Sequence, residues 1–175
     1  MEDIRLTPTS YVVLGLLTQA DEVTPYDLKA MVAAGIGNLW SLQHTQLYAE
    51  PERLAKAGYL TETREEGGRR RKLYRITPAG RQAFGAWLSA EPAGDLPELR
   101  DISLLKVFFG AEPRHIATRQ VAEHRAKLLE YQKLERALDG AEVSGPLLAL
   151  RAGLGHEREW VRYWAELAGE RDDRA

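Results

Sequence analysis

A run of polar side chains that can bond to base edges lies in the middle of the chain, and a run of cations follows it. The polar run is SLQHTQLY, from Ser41 to Tyr48, and the cationic run is RRRK, from Arg69 to Lys72. Gln can form two hydrogen bonds with adenine, and Thr can contact the methyl group of thymine. Arg and Lys bind phosphate oxygens, which position a protein on a duplex without reading its sequence. Together the two runs predict a surface for double-stranded DNA.

These residues need a helix and a hairpin to position them. Ser41 is a candidate N-cap, because serine accepts hydrogen bonds from the amides of a first helical turn. Gly67-Gly68 favours a turn between strands over 59–63 and 72–76. A helix followed by such a hairpin is typical of a winged helix-turn-helix, whose helix N-terminus enters the major groove. The residues expected to contact DNA are Ser10, Tyr11, Ser41, Gln43, His44, Thr45, Gln46, Tyr48, Arg53, Arg69, Arg70, Arg71 and Lys72.

Three Thr-Pro pairs predict where the other helices of this half begin. Thr is a good N-cap, and Pro is well tolerated at the first helical position. Thr7-Pro8, Thr24-Pro25 and Thr77-Pro78 each precede residues with apolar side chains at helical spacing. Gly35 should end the second of these helices. We expect residues 1–90 to form a winged helix-turn-helix domain that binds DNA.

The second half of the chain has a helical pattern throughout. Residues 89–97 are rich in Pro, Gly and small side chains, which predicts a junction. Helices are predicted over 99–109, 113–138 and 145–168. Two long antiparallel helices in a chain of this size cannot bury both of their apolar stripes, so residues 91–175 should form a helical domain that dimerises. The expected fold is mainly α: a winged helix-turn-helix with a small β-hairpin wing, then a C-terminal antiparallel helical hairpin.

Composition argues against several other classes of protein. The chain has no cysteine, which excludes disulfides and thiolate chemistry. It has no apolar run of about 18 residues and no basic flank before an apolar stretch, so we expect a cytoplasmic protein without a membrane partner. The four histidines lack the spacing of metal ligands, and no nucleophile lies in a catalytic arrangement. We therefore expect no metal, no cofactor and no enzymatic activity.

The distribution of charge matters more than its sum. A net charge of −2 argues against a general polyanion binder. Between Arg64 and Arg75, however, six cations face two glutamates. A local positive excess of this kind is expected for a small footprint on phosphates.

Five segments of the first half resemble the PadR family of transcriptional regulators. They occur in the family's order over about 80 residues: Tyr11–Leu17, Pro25–Leu28, Gln46–Tyr48, Arg53–Leu60 and Lys72–Gly80. Residues 100–110 resemble the start of the family's C-terminal helical domain, which mediates homodimerisation in the longer members. The resemblance implies a ligand-responsive homodimeric repressor that binds an inverted-repeat operator.

The resemblance also implies a small aromatic effector. Family members often bind planar effectors near the dimer interface, where aromatic rings can stack on them. Trp40, Trp160 and Trp164 are the candidate effector-binding residues. Packing in a core or a dimer is the alternative role of Trp160 and Trp164, and support of a turn is that of Trp40.

The chain departs from the family's pattern in the third helix. The family often has proline directly after the Leu-Tyr pair and a core leucine two residues later, whereas this chain has Ala49 and Pro51 at those positions. A proline inside a helix lacks an N–H and crowds the carbonyl four residues earlier, at a cost of up to ~3 kcal/mol. We expect a kink or a changed angle of this helix.

Two functions of other classes remain as alternatives. A winged helix can serve as a protein–protein interaction module that never binds DNA. In that case replacing Arg69, Arg70 and Arg71 would leave the affinity for nucleic acid unchanged. A small enzyme with its site in the helical half is the other alternative, and the lack of an acid–base or nucleophilic arrangement argues against it.

Overall fold

The computed structural model describes residues 4–38, 40–65, 70–91, 99–138 and 144–170. The chain folds as two compact units, Met1–Asp95 and Leu96–Ala175. The first unit contains helix α1 (Pro8–Leu17), helix α2 (Pro25–Ala34), a 3-10 turn (Ile36–Asn38), helix α3 (Gln46–Lys56), strand β1 (Leu60–Arg64), strand β2 (Lys72–Ile76) and helix α4 (Pro78–Ser89). The second contains helices α5 (Ile102–Phe108), α6 (Pro113–Ala137) and α7 (Gly145–Ala168). The predicted fold class is confirmed.

The Thr-Pro pairs begin α1, α2 and α4 as predicted. Thr7, Thr24 and Thr77 each accept a hydrogen bond from the backbone N–H three residues later, at 3.3, 3.2 and 3.1 Å. These bonds occupy donors that a first helical turn leaves unpaired. Such a cap contributes about 1 kcal/mol. The helix starts are therefore determined within four residues of sequence.

The core of the first unit lies between α1, α2, α3 and the hairpin. Leu14, Leu28, Leu54 and Tyr74 come from four different elements, and all four are fully buried. Strands β1 and β2 are antiparallel, with Leu60 opposite Ile76 at one end and Arg64 opposite Lys72 at the other. Val23 exchanges two backbone hydrogen bonds with Tyr74, at 3.0 and 2.9 Å, which joins the segment before α2 to the hairpin.

Two predicted helix starts are wrong. Helix α3 begins at Gln46 with Thr45 as N-cap, so Ser41 does not cap it. Helix α5 begins at Ile102 rather than at residue 99, because the Asp101 carboxylate accepts the first free amides of the helix at 2.6 and 3.1 Å. The Thr45 side chain makes no capping hydrogen bond, whereas the side chain of Asp101 does. The predicted Gly67-Gly68 turn and most of the predicted junction over 89–97 lie outside the described residues.

The second unit is built on the antiparallel pair α6 and α7. Ala117, Val121 and Trp164 form its buried core, and Leu104 and Val107 of α5 pack against that core. Other apolar side chains of the unit are exposed: Leu99, Ile102, Leu105, Phe108, Phe109, Leu129 and Leu148 are all more than half exposed. Among the described helices of the chain, none is both long enough and apolar enough to cross a membrane.

Candidate nucleic-acid interface

The polar run begins in a tight turn ahead of α3. The N–H of Gln46 donates to the Gln43 carbonyl at 2.9 Å, and the N–H of Gln43 donates to the Gln46 side-chain oxygen at 3.0 Å. This reciprocal pair closes the turn over 43–46. Because the Oε1 atom of Gln46 accepts a backbone N–H, its amide nitrogen is the donor that remains for a base edge. The two middle side chains of the turn, His44 and Thr45, are exposed.

Helix α3 follows the turn and has one buried face. Leu47, Pro51 and Leu54 are buried against the core, whereas Tyr48 is 44% exposed. The rings of His44 and Tyr48 lie 5.1 Å apart at an interplanar angle of 33°. The contact orders two exposed aromatic groups before any partner binds. The polar side chains of the turn therefore lie beside a pair of exposed aromatic rings.

The basic residues of the wing are largely paired with carboxylates. The guanidinium of Arg71 donates to both oxygens of Glu65, at 2.7 to 3.1 Å. Lys72 Nζ lies 3.0 Å from Glu52 of α3 and 3.3 Å from Glu62 of β1. The sequence count of six cations against two glutamates therefore overstates the positive charge available to phosphate. Within the described residues, Arg64 and Arg70 form no ion pair.

These pairs also shift the ionisation of the groups that form them. Hydrogen bonds from Arg71 hold the pKa of Glu65 below its usual range, and the bond to Glu52 raises the pKa of Lys72. All of these groups remain charged near neutral pH. A phosphate that binds Arg71 or Lys72 must displace the paired carboxylate or share the cation with it. Exposed ion pairs are weak, so this exchange is possible.

Ser10 and Arg53 lie in a network within the unit. Ser10 is fully buried, and its hydroxyl donates to Glu50 at 2.5 Å. Arg53 donates to both oxygens of Glu50, at 2.9 and 2.6 Å, and to the Ser10 hydroxyl at 2.9 Å. Tyr11 is half-buried and stacks on Trp87 of α4, with ring centroids 4.6 Å apart. All three side chains therefore have packing or bonding roles between helices.

The predicted DNA-contacting residues thus separate into two groups. One group is exposed around the turn, the start of α3 and the wing: Ser41, Gln43, His44, Thr45, Gln46, Tyr48, Arg70 and Arg71, with Lys72 partly exposed beside them. The other group is Ser10, Tyr11 and Arg53, whose contacts are internal. Arg69 lies outside the described residues.

The three tryptophans predicted to meet an effector belong to two different units. Trp160 and Trp164 of α7 stack with centroids 6.0 Å apart, and His124 stacks on Trp160 at 5.8 Å. Trp164 is fully buried, and its Nε1 has no hydrogen-bond partner within the described residues. Trp40 belongs to the first unit and is 46% exposed.

The carboxylates that pair with the cations of α3 and of the wing were not predicted from the sequence. Glu50 and Arg53 are three residues apart and Glu52 and Lys56 are four apart, which are the spacings of neighbours on a helix. That signal was present in the sequence. The pairing of Glu62 with Lys72 required the strand register, and the pairing of Glu52 with Lys72 required the packing of α3 on the wing.

Comparison with known proteins shows which proteins this chain is similar to. Residues 13–86 match the transcriptional regulator PadR-like family, and residues 99–170 match the family described as virulence activator alpha C-term. The negative transcriptional regulator PadR of Bacillus subtilis (strain 168) is 29% identical over 172 residues, which cover 89% of this chain and 92% of that protein. Residues 13–86 therefore carry a PadR-like domain, and nearly the whole chain is similar to a PadR regulator. The predicted family is thereby confirmed.

Several solved structures match nearly the whole chain. Bacillus subtilis PadR in complex with operator DNA superposes with a TM-score of 0.81 at 25% identity, covering 95% of this chain and 99% of that chain. The same regulator in complex with p-coumaric acid gives a TM-score of 0.75 at 26% identity, covering 91% and 96%. The Vibrio cholerae virulence activator AphA gives 0.71 at 29% identity, covering 93% and 96%.

Proposed function

We propose that this PadR-like regulator represses transcription as a homodimer that binds an inverted-repeat operator and is released by a small aromatic effector. Residues 1–90 are the DNA-binding domain and residues 91–175 the dimerisation domain. Repression, rather than activation, follows the Bacillus subtilis relative, which is a negative regulator. The support comes from similarity over nearly the whole length to a relative solved with operator DNA.

In this proposal the side chains of the exposed turn before α3 contact the base edges. Gln43, His44 and Thr45 have exposed side chains on a turn that hydrogen bonds hold closed. Preformed donors and acceptors lose little conformational freedom on binding, which favours specific contacts. Ser41, Gln46 and Tyr48 extend this surface, and Arg70, Arg71 and Lys72 of the wing bind phosphates beside it. Arg69, in the same basic run, is proposed to do so too.

The proposed dimer forms through exposed apolar residues of α5 and through Phe109, which follows it. Phe108 and Phe109 are 80% and 78% exposed, and Ile102 is 69% exposed. A cluster of large apolar side chains of this kind marks an interaction surface. A second copy is the proposed occupant, because an inverted-repeat operator requires two identical reading units. We expect a mass of about twice 19.7 kDa by light scattering, and a monomer for Phe108→Ser.

An effector site at the tryptophans of α7 is the remaining part of the proposal. The indole N–H of Trp164 is a buried donor without a partner in the described chain, and Trp160 presents a partly exposed ring beside it. An aromatic acid could stack on the ring and accept that hydrogen bond. Trp40 is retained as a second candidate contact. The test is displacement of operator DNA by a panel of aromatic acids, and no displacement by any of them would remove the effector from the proposal.

DNA binding is tested with the duplex upstream of the protein's own gene, against a scrambled duplex of equal length, over a series of salt concentrations. We expect tight binding to the native duplex alone. Replacing Arg70 and Arg71 by alanine should reduce the salt slope by about 0.9 for each lost phosphate contact. Arg119→Ala, an exposed change in α6, is the matched control and should leave the slope unchanged. Weak and equal binding to both duplexes, unaffected by the wing substitutions, would instead support the protein–protein interaction module.

A further inference from the structure

The network around Glu50 connects three places in the first unit. The Glu50 carboxylate receives Arg53 through two parallel hydrogen bonds and Ser10 through a third. The Arg53 guanidinium also donates to the Ser10 hydroxyl at 2.9 Å and to the Arg5 carbonyl at 3.3 Å. The network therefore joins α3 to α1 and to the segment before α1. We name Ser10, Glu50 and Arg53 the interhelical clamp.

The two charged side chains of the clamp are partly buried and are hydrogen-bonded to each other. The Glu50 side chain is 12% exposed and that of Arg53 is 37% exposed. Burial raises the pKa of Glu50, but hydrogen bonds from Arg53 and Ser10 and the charge of Arg53 outweigh burial and hold the pKa below its usual range. Four donors of the Arg53 fork are engaged inside the unit, so little of it remains for a phosphate.

The clamp spans the weak point of α3. Pro51 lies inside the helix and has no N–H, so the helical bond to the Leu47 carbonyl cannot form there. Glu50 is on the N-terminal side of Pro51 and Arg53 is on its C-terminal side. Their ion pair spans Pro51, and Ser10 of α1 bonds to both side chains. The half of α3 before Pro51 is the half that carries Gln46 and Tyr48.

We propose that Glu50 is a positioning residue for operator recognition: with Ser10 and Arg53 it holds the first half of α3 at a set angle to α1 across Pro51. Ser10 and Arg53 then act through the clamp rather than through phosphate contacts. This inference rests on the proposed DNA binding. Disrupting the clamp should reduce specificity. If the first half of α3 can change its angle, the protein still contacts phosphates, but its polar side chains no longer align with the base edges.

The two possible roles of Arg53 give opposite expectations for Glu50→Gln. If Arg53 binds phosphate, removing the Glu50 charge frees it, and affinity for every duplex rises. If the clamp positions α3, affinity for the native upstream duplex falls about tenfold or more, binding to the scrambled duplex stays within about twofold, and the salt slope is unchanged. Arg53→Lys should cause a similar loss, because an ammonium keeps the charge but cannot form the bidentate pair.

A double-mutant cycle with Pro51→Ala tests the bridging role. Alanine restores the N–H of residue 51, so the helix no longer depends on the clamp. We expect the tenfold effect of Glu50→Gln to shrink to about threefold or less in the Pro51→Ala background. Glu123→Gln breaks an exposed ion pair of α6 and serves as the charge-matched control. Glu50→Asp, which keeps the charge but loses the reach, carries the same expectation if Glu50→Gln does not fold.

The outcomes separate the inference from the function on which it rests. If the wild-type chain never prefers its upstream duplex, the proposed function fails before any variant is compared. If the wild type discriminates and Glu50→Gln binds the upstream duplex as tightly or more tightly, the clamp is refuted. An equal loss on both duplexes refutes it too, as does an effect of Glu50→Gln that Pro51→Ala does not change. A selective loss on the upstream duplex that Pro51→Ala reduces supports it.

Discussion

Different interactions stabilise the interior of each of the two units. In the first unit, backbone groups and buried polar side chains join segments far apart in sequence, as where Val23 bonds to Tyr74 and Glu50 bonds to Ser10. In the second, two long helices lie side by side, joined by the His124–Glu157 pair at 2.6 Å and by stacked rings, with Trp160 between His124 and Trp164. The first unit should therefore respond sharply to single changes, whereas the second should adapt. The second unit also leaves large apolar residues exposed, as expected of half of an interface.

A close backbone contact at Gly80 in the first unit gives the largest expected effect. A Cβ added at Gly80 of α4 would lie 2.3 Å from the backbone oxygen of Tyr59 and 2.9 Å from Ile76 Cγ1. Backbone cannot move aside as a side chain can, so Gly80→Ala should cost about 3 kcal/mol of unfolding free energy. Gly85→Ala in the same helix meets nothing within 4 Å and is the control. Chemical denaturation measures both, and equal stability of the two variants would contradict the rigid contact.

The buried tyrosine of the wing makes the first unit sensitive to alkali. Burial, and then the hydrogen bond and charge of Glu62, raise the pKa of Tyr74 to about 12. An unfolded tyrosine ionises near pH 10. Between those values the unfolded chain loses a proton that the folded chain keeps, so the unfolding free energy should fall as the pH rises, by at most about 2.7 kcal/mol.

Tyr74→Phe is the matched comparison for that prediction. Its unfolding free energy should depend less on pH above 10 than that of the wild type, while below pH 10 the difference between the two should be constant. Denaturant titrations at about pH 9 and 11 measure the effect. Parallel losses in the two proteins would assign the alkaline instability to other groups.

A glycine pair in the second unit gives the smallest expected effect. A Cβ at Gly153 would lie 2.8 Å from Tyr131 Cε2, a side-chain atom that can move, whereas at Gly155 it would meet nothing within 4 Å. Overpacking costs about 1–3 kcal/mol, but alanine gains about 1 kcal/mol over glycine within a helix. Gly153→Ala should lose about 1 kcal/mol and Gly155→Ala should gain about as much. If Gly153→Ala lowers the unfolding free energy as much as Gly80→Ala does, the second unit does not adapt to single changes better than the first.

Much of the fold was predictable because its signals are local. The Thr-Pro caps, the two strands of the wing and the bounds of the last two helices depend on residues within a few positions of one another. The predicted kink at Pro51 stays a prediction, although α3 continues through that residue. The start of α3 was predicted wrongly, because the helix begins at Gln46 after the closed turn over 43–46 and no side-chain cap marks that start.

The sequence by itself determined the elements, their order and the family, since helix caps, strand alternation and short motifs are all local in the chain. Only the tertiary structure decided which polar residues face outward. Ser10 and Arg53 turned inward because Glu50 reaches both across the contact between α1 and α3. Lys72 is held by Glu52, 20 residues away, because α3 packs on the wing. The pairings of Glu50 with Ser10 and of Glu52 with Lys72 depend on distances between elements, which no pattern along the chain encodes.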